Sequence, residues 1–272
     1  MKFSIIVCAY NEERVIKKCL QSLVDLNYNS KNFEVLIIND GSIDNTESVV
    51  NNFINHHSSI DFRYLHIEHA GLSVARNAGI DQSKYDKILF IDADAIVKND
   101  ILVEYQKTYQ NPSIDFSGGK INLLNEKSFI ANFFQKTRFK QIFEEGRYKE
   151  QLIGANMSFK KKLFIQDGGF PDIFISRGDD TYIRERFITK YKYQPTPRAI
   201  VLHERPTNFF DCLNIFYIES VNGEKLKRML KPNQMKNNIL SLSLGFITIF
   251  ISLYNFKFIF ILFIMYLFKS LY

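Results

Sequence analysis

The chain has 272 residues, 46% of them hydrophobic and 24% charged, which is the composition of an ordinary globular protein with room for a large core. Its net charge of +6 is modest and its Lys and Arg residues are spread along the chain, so a nucleic-acid-binding protein is not expected. The three cysteines lie in apolar or helical patterns, and this odd number predicts a reducing compartment with neither a disulfide framework nor a zinc site.

Short apolar runs alternate with helical patterns in the first part of the chain. A continuous apolar run is typical of a strand buried on both faces, and strands that alternate with helices predict a parallel, doubly wound sheet. Asn11 is the expected N-cap of the first helix. The predicted strands are residues 3–9, 33–38, 62–66 and 88–97, and the predicted helices between them are residues 11–26, 44–56 and 71–83.

The pattern is less regular in the second part of the chain. Residues 129–143 mix aromatic and basic residues, which predicts a helix packed on the core or, alternatively, an interfacial helix lying against lipid. The other predicted helices are residues 99–109, 179–190 and 207–230, and the predicted strands are residues 116–123, 152–159 and 199–203.

The end of the chain has a different composition, because Lys257 is the only charged residue between residues 239 and 268. This predicts a membrane-embedded tail, either one span at about residues 244–263 or a hairpin turning at residues 254–257. A buried hydrophobic hairpin of a soluble protein is the alternative. Basic residues precede the tail, so the positive-inside rule predicts a domain on the cytoplasmic face of a membrane, in contact with lipid. These basic residues are Lys225, Lys227, Arg228, Lys231 and Lys236.

Polar residues follow three of the four predicted parallel strands at the point where each strand ends. Tyr10 and Asn11 follow the first strand, Asp40 ends the second, and Asp92 and Asp94 belong to the fourth. In open α/β sheets, ligands bind in the crevice beyond the carboxyl ends of the strands. In an extended chain Asp92 and Asp94 point to the same side, and a hard divalent cation relieves the repulsion between two such carboxylates. An Asp-rich strand end without a ligand is the alternative.

A set of motifs occurs in the order seen in family 2 glycosyltransferases of the GT-A fold, and the chain resembles that family over about residues 3–230. The motifs are VCAYNE at residues 7–12, INDGSIDNT at 38–46, GLSVARNAG at 71–79, DAD at 92–94, GANMSF at 154–159, GGF at 168–170, GDD at 178–180 and the late His203. The resemblance implies an α/β GT-A fold, that is, a Rossmann-like, mostly parallel sheet flanked by helices. It also implies an inverting transfer from a UDP- or GDP-sugar, with Mn²⁺ or Mg²⁺ as cofactor.

The resemblance assigns a metal site to Asp92, Asp94 and His203. A cation there would act as a Lewis acid on the oxygens of the departing diphosphate. Asp94 is the expected direct ligand, and Asp92 would reach either the metal or the ribose. His203 either completes the metal shell or makes a structural hydrogen bond at the end of its strand.

The same resemblance implies a nucleotide-sugar site beyond the ends of the strands. Tyr10 would offer a ring face to the base, Glu12 would reach the ribose, and Asp40 would accept hydrogen bonds from the base or ribose. Arg76, on a helix whose N-terminus also favours an anion, would pair with the diphosphate, and a surface ion pair is the alternative. The complete expected set is Ala9, Tyr10, Asn11, Glu12, Asp40, Arg76, Asp92 and Ala93.

An inverting transfer also needs a carboxylate that takes the proton of the acceptor hydroxyl. In the family the second acid of a Glu-Asp pair has this role, which here falls on Asp180, with Asp179 in place of the glutamate. Which of the two is the base stays open, and acidic capping of a helix N-terminus is the structural alternative. The Gln-x-x-Arg-Trp motif of processive polysaccharide synthases is absent and the chain contains no Trp, so one sugar per encounter is expected.

The predicted organisation is a glycosyltransferase domain over residues 1–235 and a membrane-anchoring tail over residues 236–272. Within the domain, residues 1–115 are the expected nucleotide-binding half and residues 116–235 the acceptor-binding half. The expected acceptor is a polyprenol-linked or other cell-envelope glycan. One alternative is a sugar-phosphate nucleotidyltransferase, although a glycine- and lysine-rich loop after the first strand is missing. The other is a catalytically silent, membrane-tethered sugar-nucleotide-binding protein.

Overall fold

The computed structural model describes residues 1–132, 152–173 and 177–230 of the chain. By its internal packing the chain divides into two units, residues 1–223 and residues 224–272. Of the second unit, the structure describes only residues 224–230, which are helical. All the strands that the structure describes belong to the first unit.

Several sequence predictions fall partly or wholly outside the described residues. These are the tail at residues 236–272, whether one span or a hairpin, and the domain boundary at residue 235. Of the predicted helix at residues 129–143, only residues 129–132 are described, and these are helical. Within the part of the chain that the structure describes, no helix is long and apolar enough to cross a membrane.

The first four strands form a parallel sheet with helices between them, as the alternating pattern predicts. The elements are β1 (Phe3–Ala9), α1 (Ile16–Val24), β2 (Phe33–Asp40), α2 (Thr46–Asn55), β3 (Asp61–Ile67), α3 (Leu72–Gln82) and β4 (Lys87–Asp92). Their order across the sheet is β3-β2-β1-β4, and all three pairings are parallel. Strands β1 and β2 are buried almost completely, which explains their continuous apolar sequences.

The second part of the chain extends the sheet with strands of both directions. Its elements are β5 (Ala95–Val97), α4 (Ile101–Tyr109), β6 (Phe116–Leu123), β7 (Met157–Lys160), α5 (Lys162–Asp167), α6 (Asp179–Phe187), β8 (Thr196–His203) and α7 (Phe209–Leu230). The sheet continues from β4 in the order β7-β6-β8-β5. Strand β7 is antiparallel to β4 and β6, and β5 is antiparallel to β8, whereas β6 and β8 run parallel. The sheet is therefore mixed, with four parallel and three antiparallel pairings among the described strands, and the two antiparallel strands β5 and β7 are the part that the alternating pattern did not predict.

The hydrophobic core lies on both faces of the sheet. Ile5 and Val7 of β1 belong to a buried cluster with residues of α1, α2 and α4. Ile6, between them, belongs to a second cluster with residues of α3, α5 and α6. Because successive side chains of a strand point to opposite faces, β1 contributes to both layers. The helices thus cover the two faces, and the carboxyl ends of the strands are the edge at which polar side chains gather.

The predicted strand at residues 88–97 is two strands joined by a turn. Strand β4 ends at Asp92, Ala93 and Asp94 form the turn, and β5 begins at Ala95. Strand β4 pairs with β1 and β7, whereas β5 pairs with β8, so the chain changes neighbours at this turn. The prediction of one extended strand through both aspartates is therefore wrong, although the turn still brings the carboxylates of Asp92 and Asp94 together.

The loops after β1 and β2 are hydrogen-bonded to each other. Asn11 has a positive φ of 58°, its backbone N–H donates to Ser42 Oγ, and its Oδ1 accepts from the Ile43 N–H. Asparagine tolerates this left-handed conformation better than most residues do. Helix α1 begins at Ile16 with Val15 as its N-cap, so the predicted capping role of Asn11 is wrong. Asn11 instead links the two loops that border the strand ends.

The buried side chain of Asn156 makes hydrogen bonds that connect elements of the second half of the sheet. The pairing of β6 with β8 shifts register between Gly119 and Lys120. Asn156 lies fully buried in a short 3-10 turn before β7, and its Nδ2 donates to the carbonyls of Lys120 and Ala199 at 3.1 and 2.9 Å. Its Oδ1 accepts from the Tyr105 hydroxyl at 2.7 Å. One side chain therefore connects β6, β8 and α4.

Replacing Asn156 by alanine is expected to destabilise the fold, because the Lys120 and Ala199 carbonyls and the Tyr105 hydroxyl would each lose a buried partner. Since each such loss costs about 1–3 kcal/mol, the free energy of unfolding should fall by about 2–4 kcal/mol. Chemical denaturation followed by circular dichroism measures this change. Asn52→Ala, at an exposed position of α2, is the matched control and should stay within about 0.5 kcal/mol of the original chain. Equal effects of the two substitutions would contradict the prediction.

Candidate active site

Three side chains that could hold a metal ion converge at the carboxyl end of β4. They are Asp92 at the end of β4, Asp94 in the following turn and His203 at the end of β8, and their potential ligand atoms lie within 4.8 Å of one another. His203 Nε2 lies 3.1 Å from Asp94 Oδ1 and 3.7 Å from Asp92 Oδ2. Strand β8 brings His203 there because its register with β5 sets His203 opposite Ala95. The structure thus brings together the three residues for which the sequence predicts a metal site.

The orientation of the His203 ring suits a metal ligand. Its Nδ1 lies 2.5 Å from the Glu204 carbonyl oxygen, which can accept only from a protonated Nδ1. Such a hydrogen bond leaves the lone pair of neutral imidazole on Nε2, the atom that faces Asp92 and Asp94. Burial lowers the pKa of His203, but its hydrogen bonds with the two carboxylates outweigh burial and raise that pKa to about 9. A proton and a divalent cation therefore compete for the same face of the ring.

Arg76 of α3 is buried between two carboxylates. Its Nη2 lies 3.2 Å from Asp92 Oδ1, and its Nη1 donates to Asp179 Oδ2 in a short ion pair. The residue is 2% exposed, and Phe90 and Phe170 lie against the guanidinium with centroid distances of 5.7 and 5.6 Å. Burial lowers the pKa of Arg76, but the charges of Asp179 and Asp92 outweigh it, so the guanidinium stays charged. The alternative of a surface ion pair for Arg76 is therefore wrong, because the ion pairs are buried, and the predicted contact with the diphosphate stays a prediction.

The charge on Asp92 reflects these neighbours. Burial raises the pKa of Asp92, but the hydrogen bond with His203 and the charge of Arg76 outweigh burial and hold that pKa below its ordinary value. The side chain keeps 34% of its surface exposed, as does that of Asp94. Both carboxylates are therefore accessible to a ligand from solvent.

The two acids at the start of α6 have different surroundings. Asp179 is 2% exposed and its carboxylate is paired with Arg76. Burial raises the pKa of Asp179 above its ordinary value, although the guanidinium in contact with it opposes that rise and favours the ionised form. Asp180 is half-buried, and its Oδ2 accepts from the Gly154 N–H at 3.1 Å while its Oδ1 accepts from the Thr181 N–H at 2.6 Å. Of the two acids, only Asp180 has appreciable solvent-exposed surface.

Asp40 and Tyr10 lie at the ends of β2 and β1, in contact with a histidine that the sequence reasoning missed. The buried Asp40 carboxylate accepts from the Ala70 N–H at 2.8 Å and the Gly71 N–H at 3.0 Å, so it holds the loop before α3. His69 Nδ1 lies 3.0 Å from Asp40 Oδ2, and its ring stacks on Tyr10 with centroids 4.0 Å apart. The His69 imidazole thus covers one face of the Tyr10 ring, and 41% of the surface of Tyr10 stays exposed to solvent. The sequence signal for His69 is its position two residues before the GLSVARNAG motif.

Glu12 completes the acidic side of the site. Its backbone N–H donates to Thr46 Oγ1 at 2.7 Å, which fixes the loop after β1 against the start of α2. Burial, with the charges of Asp94 and Asp92, raises the pKa of Glu12 to about 7. A divalent cation held by the two aspartates would oppose that rise. The remaining predicted contacts, Ala9 and Ala93, are 2% and 3% exposed, and their contact with a nucleotide sugar stays a prediction.

Gly154 is a second residue whose role emerges from the structure. Its N–H binds Asp180, and a Cβ atom at this position would lie 2.5 Å from Arg76 Nη2. The glycine therefore allows the turn before β7 to contact the guanidinium and the acid of α6 at once. The signal in the sequence is the GANMSF motif that it opens.

Comparison with known proteins agrees with this architecture. The sequence matches the family model "Glycosyl transferase family 2" over residues 4–167. It is 27% identical over 208 residues to the poly-beta-1,6-N-acetyl-D-glucosamine synthase of Staphylococcus epidermidis, covering 72% of this chain and 48% of the relative. It is 30% identical over 181 residues to glycosyltransferase GlyA of Streptococcus pneumoniae, covering 61% of this chain and 25% of the relative. The chain thus spans half or less of the length of these relatives.

Solved structures share the fold at low sequence identity. The mannosyltransferase PcManGT from Pyrobaculum calidifontis, solved with GDP-Man and Mn²⁺, aligns with a TM-score of 0.66 at 19% identity over 79% of this chain and 60% of that chain. Staphylococcus aureus TarS 1–349, solved with UDP-GlcNAc, aligns with a TM-score of 0.60 at 19% identity over 82% of this chain and 66% of that chain. The fold is thus α/β and GT-A-like, with a mixed sheet flanked by helices. Because the family model matches more than half of the length of this chain, the chain belongs to glycosyl transferase family 2.

Proposed function

We propose that this protein transfers a sugar from a UDP- or GDP-sugar to a hydroxyl of a cell-envelope glycan, with inversion and one sugar per encounter. The observation that carries the proposal is the convergence of Asp92, Asp94 and His203 at the carboxyl end of β4. That edge of an α/β sheet is where nucleotides bind. The structural neighbours solved with GDP-Man and with UDP-GlcNAc support both classes of donor.

The cofactor in this proposal is Mn²⁺ or Mg²⁺, held by Asp92, Asp94 and His203. Two carboxylates and an imidazole form a donor set that such a cation accepts. When bound, the cation would neutralise the negative charge that develops on the departing diphosphate. The protein's own contribution is to orient these ligands: the Glu204 carbonyl turns the His203 ring, and Arg76 holds one oxygen of Asp92.

The donor nucleotide is proposed to lie along the ends of β1, β2 and β4. The exposed part of Tyr10 would contact the base, and Asp40 retains lone pairs that could accept from the base or ribose beside its bonds to the loop. Glu12 would reach the ribose, and Arg76 would pair with the diphosphate. The full proposed set is Ala9, Tyr10, Asn11, Glu12, Asp40, Arg76, Asp92 and Ala93.

Asp180 is the proposed general base. Its carboxylate would take the proton of the acceptor hydroxyl as that oxygen attacks the anomeric carbon and the bond to the diphosphate breaks. Asp180 is half-buried, and this supports the role, because a general base has to contact an acceptor that enters from solvent. Asp179 is the weaker candidate, because Arg76 already occupies its buried carboxylate.

The proposed acceptor is a polyprenol-linked or other envelope glycan, reached from the cytoplasmic face of a membrane. The apolar sequence at residues 236–272 and the basic residues before it support membrane anchoring and contact with lipid. Relatives named poly(ribitol-phosphate) glycosyltransferases and poly-beta-1,6-N-acetyl-D-glucosamine synthase support an envelope polymer as the class of acceptor. Anchoring would confine the enzyme to the surface where such acceptors lie.

Mn²⁺ is expected to stabilise the metal-free full chain, because it relieves the repulsion between Asp92 and Asp94. At a concentration of about 100 times its Kd, a ligand adds about 2.7 kcal/mol, or roughly 5–10 °C in Tm for a chain of this size. Asp94→Ala should lose most of this shift in a thermal unfolding assay. Asp61→Ala, at the opposite end of the parallel strands, is the control and should keep it. The same Mn²⁺ shift in Asp94→Ala as in the original chain would contradict the assigned site.

Asp180→Asn is expected to lower kcat for sugar transfer by about a hundredfold or more, the usual contribution of a general base. The Mn²⁺ shift and the binding of the donor should change little, because Asp180 does not contact the metal cluster in the structure. A thermal-shift screen of UDP- and GDP-sugars with Mn²⁺ identifies the donor, and release of UDP or GDP then measures turnover. Asp172→Asn, at an exposed acid seven residues before the start of α6 in the sequence, is the control. Full transfer activity in Asp180→Asn would refute the role of Asp180 as base.

A further inference from the structure

The guanidinium of Arg76 links the metal cluster to the start of α6. On one side it contacts Asp92, a proposed metal ligand, and on the other it contacts Asp179, which solvent does not reach. Asp179 pairs with Arg76, whereas Asp92 also faces the imidazole of His203 and the charge of Arg177. Arg76 therefore pairs with two acids, of which Asp92 would bind a divalent cation and Asp179 would not.

The position of Arg76 poses an electrostatic problem for a metal site. A guanidinium in contact with Asp92 reduces the negative charge that Asp92 presents to a divalent cation and also repels that cation directly. In a poorly solvated site this effect is several times stronger than in water. A second carboxylate on the far side of the guanidinium would cancel most of the opposing charge.

We propose that Asp179 is a positioning residue that neutralises Arg76 and thereby keeps the charge of Asp92 available to the divalent cation. The inference rests on the cation site of the proposed function and assigns to Asp179 a role distinct from that of Asp180. Of the two adjacent acids, Asp179 acts on the metal side of the site through Arg76, and Asp180 acts on the acceptor side.

The packing around Arg76 keeps this arrangement in place. The rings of Phe90 and Phe170 lie against the guanidinium, which also approaches Gly154 so closely that a Cβ there would lie 2.5 Å from Arg76 Nη2. The same Gly154 donates its N–H to Asp180. The turn therefore helps to position Arg76 and Asp180, so a change at Asp179 should alter charge more than geometry.

The inference is tested by binding of Mn²⁺ to the full chain in detergent, measured from the electron paramagnetic resonance signal of free Mn²⁺. Asp179→Asn should raise the Kd for Mn²⁺ about tenfold or more, because Arg76 then shares its charge with Asp92 alone. Arg76→Gln should bind at least as tightly as the original chain. The double variant Arg76→Gln/Asp179→Asn should return to within about threefold of the original Kd, since it removes both charges of the pair.

Two further variants separate charge from structure. Asp180→Asn is the matched neighbour and should leave the Mn²⁺ affinity unchanged, whereas Asp179→Glu keeps the charge and should bind within about threefold of the original chain. If Asp179→Asn fails to fold, the Mn²⁺ affinities of Arg76→Gln and of the double variant still test the inference. Weak Mn²⁺ binding by the double variant would overturn it. An unchanged Kd in a folded Asp179→Asn also overturns it. Absence of Mn²⁺ binding by the original chain would instead refute the proposed cation site itself.

Discussion

The antiparallel pairing of β5 with β8 is the contact on which the candidate site depends. Its register sets Ala95 opposite His203, so the residue before Ala95, Asp94, comes within 3.1 Å of the imidazole. Strand β5 has only three residues, and it reaches β8 because the chain turns out of β4 at Ala93. Strand β8 is in turn bonded to β6 and α4 through Asn156. The positions of the three possible metal ligands therefore follow from how two halves of one sheet are joined.

A second constraint is the burial of charge. A buried guanidinium without partners would cost several kcal/mol, so Arg76 requires its carboxylates in place. These partners come from different elements, Asp92 from β4 and Asp179 from α6, while Arg76 belongs to α3. The ion pairs therefore join the first half of the sheet, which contains β4, to the helix that carries Asp180. Packing of α6 against this sheet is thereby tied to the electrostatics of the site.

Some residues expected to contact a ligand also hold the loops that border it. The Asp40 carboxylate binds the two amides before α3, and Asn11 joins the loops after β1 and β2. A loop held by hydrogen bonds loses less conformational entropy when a ligand binds, so these contacts prepare the edge of the sheet for recognition. His69 belongs to this group, because it contacts Asp40 and covers one face of Tyr10.

The sequence by itself determined the alternation of the first strands and helices, the family motifs and the residue types at the strand ends. Hydrophobic periodicity and motif order are local properties, so a single chain displays them directly. The antiparallel direction of β5 and β7, the break after Asp92, the partners of Arg76 and the stacking of His69 were decided by the tertiary structure alone. Arg76 and Asp179, for example, are 103 residues apart. Their contact depends on how α3 and α6 pack on the sheet, and no local pattern in either segment records that packing.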